Sequence, residues 1–189
     1  MAAESRFFEK RYTYVDYEAW DDDIRWELLD GVPYAMSAPS SVHQRIVVNL
    51  STILNVHLRD KACRVFVAPF DVRLSYDKGD DTVVQPDVVV VCDRTKIDKK
   101  GCVGVPDLVV EILSPATARM DWVLKHNIYM KAGVKEYWIV DPDAQTVLVH
   151  LLEESFYLPH EYYIAGDVVS VNVLPGCEID LGEVFTNLD

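Results

Sequence analysis

The chain has 189 residues, half of them hydrophobic and 26% charged, a balance that favours a single soluble globular domain over residues 1–189 rather than a disordered chain. Its formal net charge of −13 argues against non-specific coating of nucleic acid, because phosphate contacts require local positive charge. No apolar stretch approaches the roughly 20 residues of a membrane span, and the charged N-terminus is unlike a signal peptide, so we expect a cytoplasmic protein.

The N-terminal part of the chain is predicted to contain two helices and a hairpin. "VDYEAWDDD" is expected to form a short helix, and "RWELLDGVPYAM" a β-hairpin that turns at Asp30-Gly31, since this dipeptide tolerates the positive φ of tight hairpin turns. Apolar residues in "SAPSSVHQRIVVNLSTILNVHLRD" recur with the spacing of one helical face, which predicts a long helix from about residue 40 to 59. Ser40 or Ser41 would cap its start.

After this helix the hydrophobic period changes to that of strands. Four segments are rich in β-branched residues and bounded by Gly, Pro, Asp or Lys: "CRVFVAP", "DVRLSY", "TVVQPDVVVVC" and "PDLVVEIL". The last two are apolar on both faces, as central strands covered above and below are. The polar stretch "DRTKIDKKG" is expected to be the loop between them.

The C-terminal part is predicted to add one helix and several strands. A helix over about residues 118 to 132 should end at Gly133, the usual C-terminal glycine position. "KEYWIVDP" and the segments after it have the composition of strands. We therefore expect an α/β fold, a mixed sheet flanked by helices, with an extra N-terminal hairpin and a β-rich C-terminal end.

The cysteines give no sign of a covalent framework. Cys63, Cys92, Cys102 and Cys177 show no C-x-x-C pairing, and Cys92 lies inside an apolar strand pattern. We expect all four to be reduced and to pack as small apolar residues, without a disulfide or a zinc site.

Two carboxylates lie on strands that otherwise consist of core residues. Asp87 precedes a run of four valines and follows Pro86, so it is expected at the entry of a buried strand, near the rim. Glu111 lies in the middle of its strand, where a carboxylate costs several kcal/mol unless it is paired or coordinates a cation. A salt bridge to a nearby Lys or Arg and a metal site both remain open for Glu111.

The helix that follows supplies a candidate cation. Asp121, Lys125 and Tyr129 recur every four residues and form a polar stripe. Because the strand–helix connection folds this helix back over the sheet, Lys125 should reach the strand of Glu111. Two carboxylates are typical of Mg²⁺ sites that also take substrate phosphate oxygens, and a lysine beside them can orient an attacking water. The set favours metal-assisted phosphodiester hydrolysis.

At these residues the sequence resembles the PD-(D/E)XK nuclease superfamily, and more closely the bacterial Uma-two family of restriction-endonuclease-like proteins. The resemblance implies a restriction-endonuclease-like core and covers most of residues 20 to 185. It is carried by six stretches: "WELLDG", "PSSVHQRIVVNL", "QPDVVVV", "PDLVVEILSPAT", "DWVLKHNIYMKAGVKEYWIVDP" and "VLPGCEIDLGEVF".

The resemblance implies roles for individual residues. Asp87 and Glu111 take the two acidic positions of the motif. The lysine expected two positions after the acid is absent, because that position is Leu113, and the role moves to Lys125. Glu27 in "WELLDG" corresponds to an additional metal ligand, although a solvated position on the hairpin is the alternative.

Further roles at the same site are expected. The backbone carbonyl of Ile112 is a candidate metal ligand, and His43 and Gln85 are candidate substrate contacts. The alternatives are a capping or surface role for His43 and a solvent-facing side chain for Gln85. Tyr129 and Trp138 are expected to be core residues.

The function implied is Mg²⁺- or Mn²⁺-dependent cleavage of nucleic acid, DNA in preference to RNA, by a homodimer that pairs two sites. A nuclease should also place basic residues near the rim of its cleft, with Arg119, Lys96, Lys99 and Lys100 as the candidates. The alternative is a non-catalytic member of the fold that acts in protein interaction, with its carboxylates closed off in salt bridges.

Overall fold

The computed structural model describes residues 10–74, 80–114, 120–159 and 161–188. In these ranges the helices are α1 (Tyr14–Glu18), α2 (Ser41–His57), α3 (His126–Ala132) and α4 (Leu181–Val184). The strands are β1 (Trp26–Leu29), β2 (Val32–Ala35), β3 (Arg64–Val67), β4 (Asp71–Arg73), β5 (Val83–Val84), β6 (Val88–Val91), β7 (Gly101–Val103), β8 (Leu108–Ile112), β9 (Glu136–Asp141), β10 (Thr146–Glu153), β11 (Phe156–Tyr157), β12 (Glu161–Ile164), β13 (Val168–Ser170) and β14 (Glu178–Asp180).

The larger sheet has seven strands, in the order β11-β10-β9-β8-β6-β3, with β12 paired to β10. Strands β6 and β8 are antiparallel neighbours near its centre, and β8 is parallel to β9. Val88 and Val90 of β6 pack on the same side as α2, whereas Val89 and Val91 pack with α3 on the other side. The sheet is therefore mixed and covered on both faces, and the predicted α/β fold is confirmed.

A second sheet has five strands, in the order β2-β1-β5-β4-β7. The prediction that "TVVQPDVVVVC" forms one strand is wrong, because β5 belongs to this sheet and β6 to the larger one. Pro86 has no N–H to donate to a ladder, and the Gln85 N–H bonds the carboxylate of Glu27 instead. The chain crosses between the sheets at this point. Strand β7 begins at Gly101, the last residue of the predicted polar loop, and pairs parallel with β4.

The local signals for the hairpin and the helix ends are confirmed. Asp30 and Gly31 both have positive φ, 49° and 75°, as a two-residue turn between β1 and β2 requires. The Ser40 hydroxyl accepts a hydrogen bond from the His43 N–H and caps α2, and Gly133 ends α3 with φ 89°. The predicted start of the last helix, with Arg119, lies outside the described residues; from Met120 to Lys125 the chain is π-helical. No helix in the described ranges is long and apolar enough to cross a membrane.

The prediction of four reduced cysteines is wrong for two of them. Cys63 and Cys92 form a disulfide with an S–S distance of 2.07 Å. The antiparallel register of β3 and β6 pairs Arg64 with Val91, so the next pair outward is Cys63 and Cys92. Sequence spacing alone does not show this pairing, because it depends on strand register. Cys102 and Cys177 are buried free thiols, as expected.

Alkylation should distinguish the two kinds of cysteine. When the purified protein is unfolded in denaturant without reductant and treated with iodoacetamide, only Cys102 and Cys177 are expected to react, because a disulfide sulfur is not a nucleophile. Peptide mass spectrometry would measure the modified sites, and prior reduction should expose all four. Modification of Cys63 and Cys92 without reductant would contradict the disulfide.

Candidate active site

A cleft of about 940 Å³ opens beside the start of β6 and the end of β8. The start of α2 and the loop after β2 form one side, and the segment after β9 forms another. The residues predicted for the site that line this cleft are Glu27, His43, Asp87, Glu111, Ile112 and Lys125.

Asp87 and Glu111 lie side by side on adjacent strands. The β6–β8 register pairs Val88 with Val110, which places Asp87 opposite Glu111 at the next position. Directly opposed residues of an antiparallel pair share a face, with Cβ atoms about 4.5–5.5 Å apart. The Asp87 side chain is 16% exposed, in agreement with its predicted position near the rim, whereas Glu111 is buried.

Asp87 is held from two directions. The Ile112 N–H donates to Asp87 Oδ2 over 2.7 Å, and His43 Nε2 lies 3.1 Å from the same oxygen. His43 is buried in the first turn of α2, where the Ser40 cap fixes the helix start. The structure thus brings His43 to the site as an orienting partner of Asp87. Its Nδ1 is buried and has no hydrogen-bond partner within the described chain.

Lys125 lies between two carboxylates. Its Nζ is 3.0 Å from Glu111 Oε1 and 2.9 Å from Glu27 Oε1, and all three side chains are buried. The solvated alternative for Glu27 is wrong, because this residue is fully buried. The salt bridge considered for Glu111 exists, and the same residues line the cleft. Glu27, Glu111 and Lys125 therefore form ion pairs and line the cleft at the same time.

Tyr129 belongs to the site as well as to the core. It is fully buried as expected, but its hydroxyl donates to Glu111 Oε1 over 2.6 Å. Burial, followed by the nearby Glu111 charge, raises the pKa of Tyr129 well above its usual value, so the phenol remains a donor. Sequence reasoning missed this role, and the four-residue spacing from Lys125 is the signal that could have found it. Trp138 is a core residue, as predicted.

Gln85 was predicted as a candidate substrate contact, but its side chain does not face the cleft. Its amide oxygen accepts from Arg25, and its amide nitrogen donates to Tyr17 and Asp71. These contacts draw the side chain into a neighbouring depression under α1. Gln85 serves the site through its backbone, since its N–H donates to Glu27 Oε1 over 2.7 Å.

The cleft is acidic. Among its described lining residues the carboxylates are those of Glu27, Asp87, Glu111, Asp141 and Asp143, while the permanent cations are Arg25 and Lys125.

The basic rim predicted for a nuclease is not found in the described residues. Lys96, Lys99 and Lys100 do not line the cleft. Lys96 donates to the Val105 carbonyl and Lys100 to Glu18, and Arg119 lies outside the described residues.

The donor set at the cleft fits a hard divalent cation. Asp87 and Glu111 offer adjacent carboxylates at the cleft wall, and Mg²⁺ sites commonly use one or two carboxylates completed by waters and substrate phosphates. Within the described ranges no three His, Cys, Asp or Glu side chains are arranged to hold a metal. The structure thus provides a two-carboxylate site and not an enclosed protein cage.

Comparison with known proteins agrees with the predicted family and fold. The chain matches the family described as "Uma2: Putative restriction endonuclease" over residues 14–182. It belongs to the Uma2 family. Two uncharacterized Synechocystis sp. proteins are similar to this Uma2 chain: slr1290 is 32% identical over 78% of each chain, and sll1609 is 28% identical over 68% of this chain and 80% of its own.

A solved structure shares the Uma2 fold. It is a protein from Anabaena variabilis whose crystal structure is described as a "putative nuclease belonging to DUF820". The TM-score is 0.75 at 20% identity, with 92% of this chain and 96% of the other covered. At this identity the likeness shows the fold, and the family match supports a nuclease.

Proposed function

We propose that this Uma2 chain is a divalent-metal-dependent endonuclease that hydrolyses nucleic-acid phosphodiester bonds, those of DNA in preference to RNA. The observation that carries the proposal is the Asp87–Glu111 pair on the wall of an acidic cleft. A phosphodiester is repelled from such a wall unless a cation lies between the negative groups. The same pair gives a divalent cation the oxygen ligands it prefers.

Each residue then has a distinct task. Asp87 and Glu111 would hold Mg²⁺ or Mn²⁺, with the carbonyl of Ile112 as a further candidate ligand. The bound cation supplies Lewis acidity, which polarises the scissile phosphate and offsets its developing charge. The Lys125 ammonium would orient the attacking water. The water oxygen bonds to phosphorus as the P–O bond to the leaving sugar oxygen breaks, and a water proton passes through solvent to that oxygen. His43 and the Ile112 N–H keep Asp87 turned toward the cleft.

Two observations favour the second candidate, a non-catalytic interaction domain. Lys125 is already paired with two buried carboxylates, as expected of a closed structural network. Next to it, the side chains of Trp122, Val123 and Leu124 are 39%, 52% and 41% exposed, an apolar surface that suits a partner protein.

Cleavage assays with controlled metals test the nuclease. We expect the purified protein to nick and linearise supercoiled plasmid with Mg²⁺ or Mn²⁺ and to be inactive in EDTA. It should cleave RNA more slowly than the plasmid. The variant Glu111→Gln, purified in the same way, should lose this activity, because one oxygen ligand and its charge are removed. Gel analysis over time measures the cleavage rates of the parent protein and of the variant.

Two results would contradict the proposal. Equal cleavage by Glu111→Gln would mean that the activity does not arise at this site. A protein that cleaves no substrate and gives no calorimetric signal with Mn²⁺ would instead support the interaction domain.

The proposed pairing of two sites in a homodimer is measured separately by sedimentation, which should give twice the mass of one chain.

A further inference from the structure

We propose that Glu27 and Tyr129 are positioning residues that fix Lys125 and Glu111 at the cleft, and that Glu27 is not a metal ligand. The inference rests on the proposed function and departs from the ligand role that the resemblance implied for Glu27. It assigns to the site two buried groups that do not touch the substrate.

The contacts of Glu27 are those of an anchor. Its Oε1 accepts from the Lys125 ammonium over 2.9 Å and from the Gln85 N–H over 2.7 Å. Lys125 lies equally close to Glu111 Oε1, and what separates the two glutamates is their place: Glu111 lies opposite Asp87 across β6 and β8, whereas Glu27 is on β1 of the other sheet. Within the described residues, no group of three His, Cys, Asp or Glu side chains that could hold a metal includes Glu27.

Lys125 needs an anchor other than Glu111. If Glu111 turns an oxygen to the metal, its hold on the ammonium weakens, because one carboxylate then serves two cations. Glu27 is fully buried on β1 and pinned by the backbone of Gln85, so its position does not depend on the metal. The lysine can then remain in place while Glu111 binds the cation.

Tyr129 completes the arrangement from α3. Its hydroxyl and the Lys125 ammonium both donate to Glu111 Oε1, and two donors on one oxygen fix the rotation of the carboxylate. Hydrogen-bonded partners of metal ligands typically contribute about 10- to 100-fold to metal affinity or activity. The effect expected of Tyr129 is of that kind.

The first test follows the Lys125 ammonium by ¹H–¹⁵N NMR in the metal-free protein. Lys125 is the buried lysine of the described chain, and its hydrogen-bonded ammonium protons should exchange slowly enough to give a signal that Lys125→Met removes. Glu27→Gln and Tyr129→Phe should shift or broaden that signal. Glu136→Gln and Tyr157→Phe are the matched controls: Glu136 is a fully buried glutamate bonded to Trp138 and Val173, and the Tyr157 hydroxyl bonds the Val134 carbonyl.

The second test separates positioning from metal binding. For Glu27→Gln and Tyr129→Phe, we expect kcat to fall about 10- to 100-fold, with KM and the calorimetric Kd for Mn²⁺ each changed by no more than about twofold. Glu27→Gln keeps an oxygen acceptor for Lys125 and should retain more activity than Glu27→Ala. Thermal unfolding of each variant would identify loss by misfolding.

The outcomes that overturn the inference are distinct. A loss of Mn²⁺ affinity in Glu27→Gln equal to that in Asp87→Asn would make Glu27 a ligand. Variants that match the two controls in NMR and kcat would remove the positioning role. If the parent protein neither binds Mn²⁺ nor cleaves nucleic acid, the proposed function fails, and the ammonium signal still decides whether Glu27 and Tyr129 hold Lys125.

Discussion

Replacement of Lys125 by methionine is expected to lower the free energy of unfolding by about 3–5 kcal/mol, the cost of leaving a buried charge without its partner. Methionine keeps the unbranched shape of the side chain and removes its charge. In the parent protein, the Lys125 ammonium pairs with both Glu27 and Glu111. In the variant, these two buried carboxylates would face each other without a cation between them.

Removal of one carboxylate charge, in place of the lysine, should change the free energy of unfolding much less. Glu111→Gln leaves Lys125 with Glu27 as a balanced buried pair, and the amide oxygen can still accept from Tyr129. We therefore expect the unfolding free energy to change by less than about 1 kcal/mol. Urea unfolding followed by tryptophan fluorescence would measure both variants.

Lys135→Met provides the control for the loss of a lysine. Lys135 pairs with Asp107 at 3.0 Å, but its side chain is 67% exposed, so its removal should cost no more than about 1 kcal/mol. If Glu111→Gln destabilised the protein as much as Lys125→Met, Glu111 would be a structural partner of the lysine first and foremost. The interaction-domain alternative would then gain support.

The parts of the site that sequence could predict depend on local periodicity. Runs of β-branched residues identified the two strands, and the acidic positions of the motif assigned Asp87 and Glu111 to one site. A four-residue spacing joined Lys125 and Tyr129 on one side of a helix. The hairpin turn at Asp30-Gly31 and the cap at Ser40 are likewise written in adjacent residues.

What sequence could not predict depends on the packing of distant segments. The disulfide follows from the register of β3 against β6. Glu27 was predicted as an additional metal ligand, with a solvated hairpin position as the alternative. Its burial arises because the hairpin packs against Lys125, which is 98 positions further along the chain. Gln85 lies two positions before Asp87, but the break at Pro86 sends the two side chains to different places.

Asp87→Asn is expected to lower kcat/KM for metal-dependent cleavage by at least about 10³-fold, because a metal ion supplies several kcal/mol of transition-state stabilisation. The amide keeps the size of the side chain, and its oxygen can still accept from the Ile112 N–H. What is lost is the negative charge and one oxygen donor. The calorimetric affinity for Mn²⁺ should therefore fall together with the rate, while the melting temperature changes little.

The variant His43→Gln separates the role of Asp87 as a metal ligand from the role of His43 in orienting it. His43 Nε2 contacts Asp87 Oδ2, so its loss should misorient the carboxylate without removing it, and we expect a decrease in activity of about 10- to 100-fold. Mn²⁺ should still bind. If His43→Gln instead lost as much activity as Asp87→Asn while Mn²⁺ affinity stayed unchanged, His43 would act on the substrate directly. A full rate in Asp87→Asn would exclude Asp87 as a ligand, and with it the two-carboxylate site on which the proposed nuclease depends.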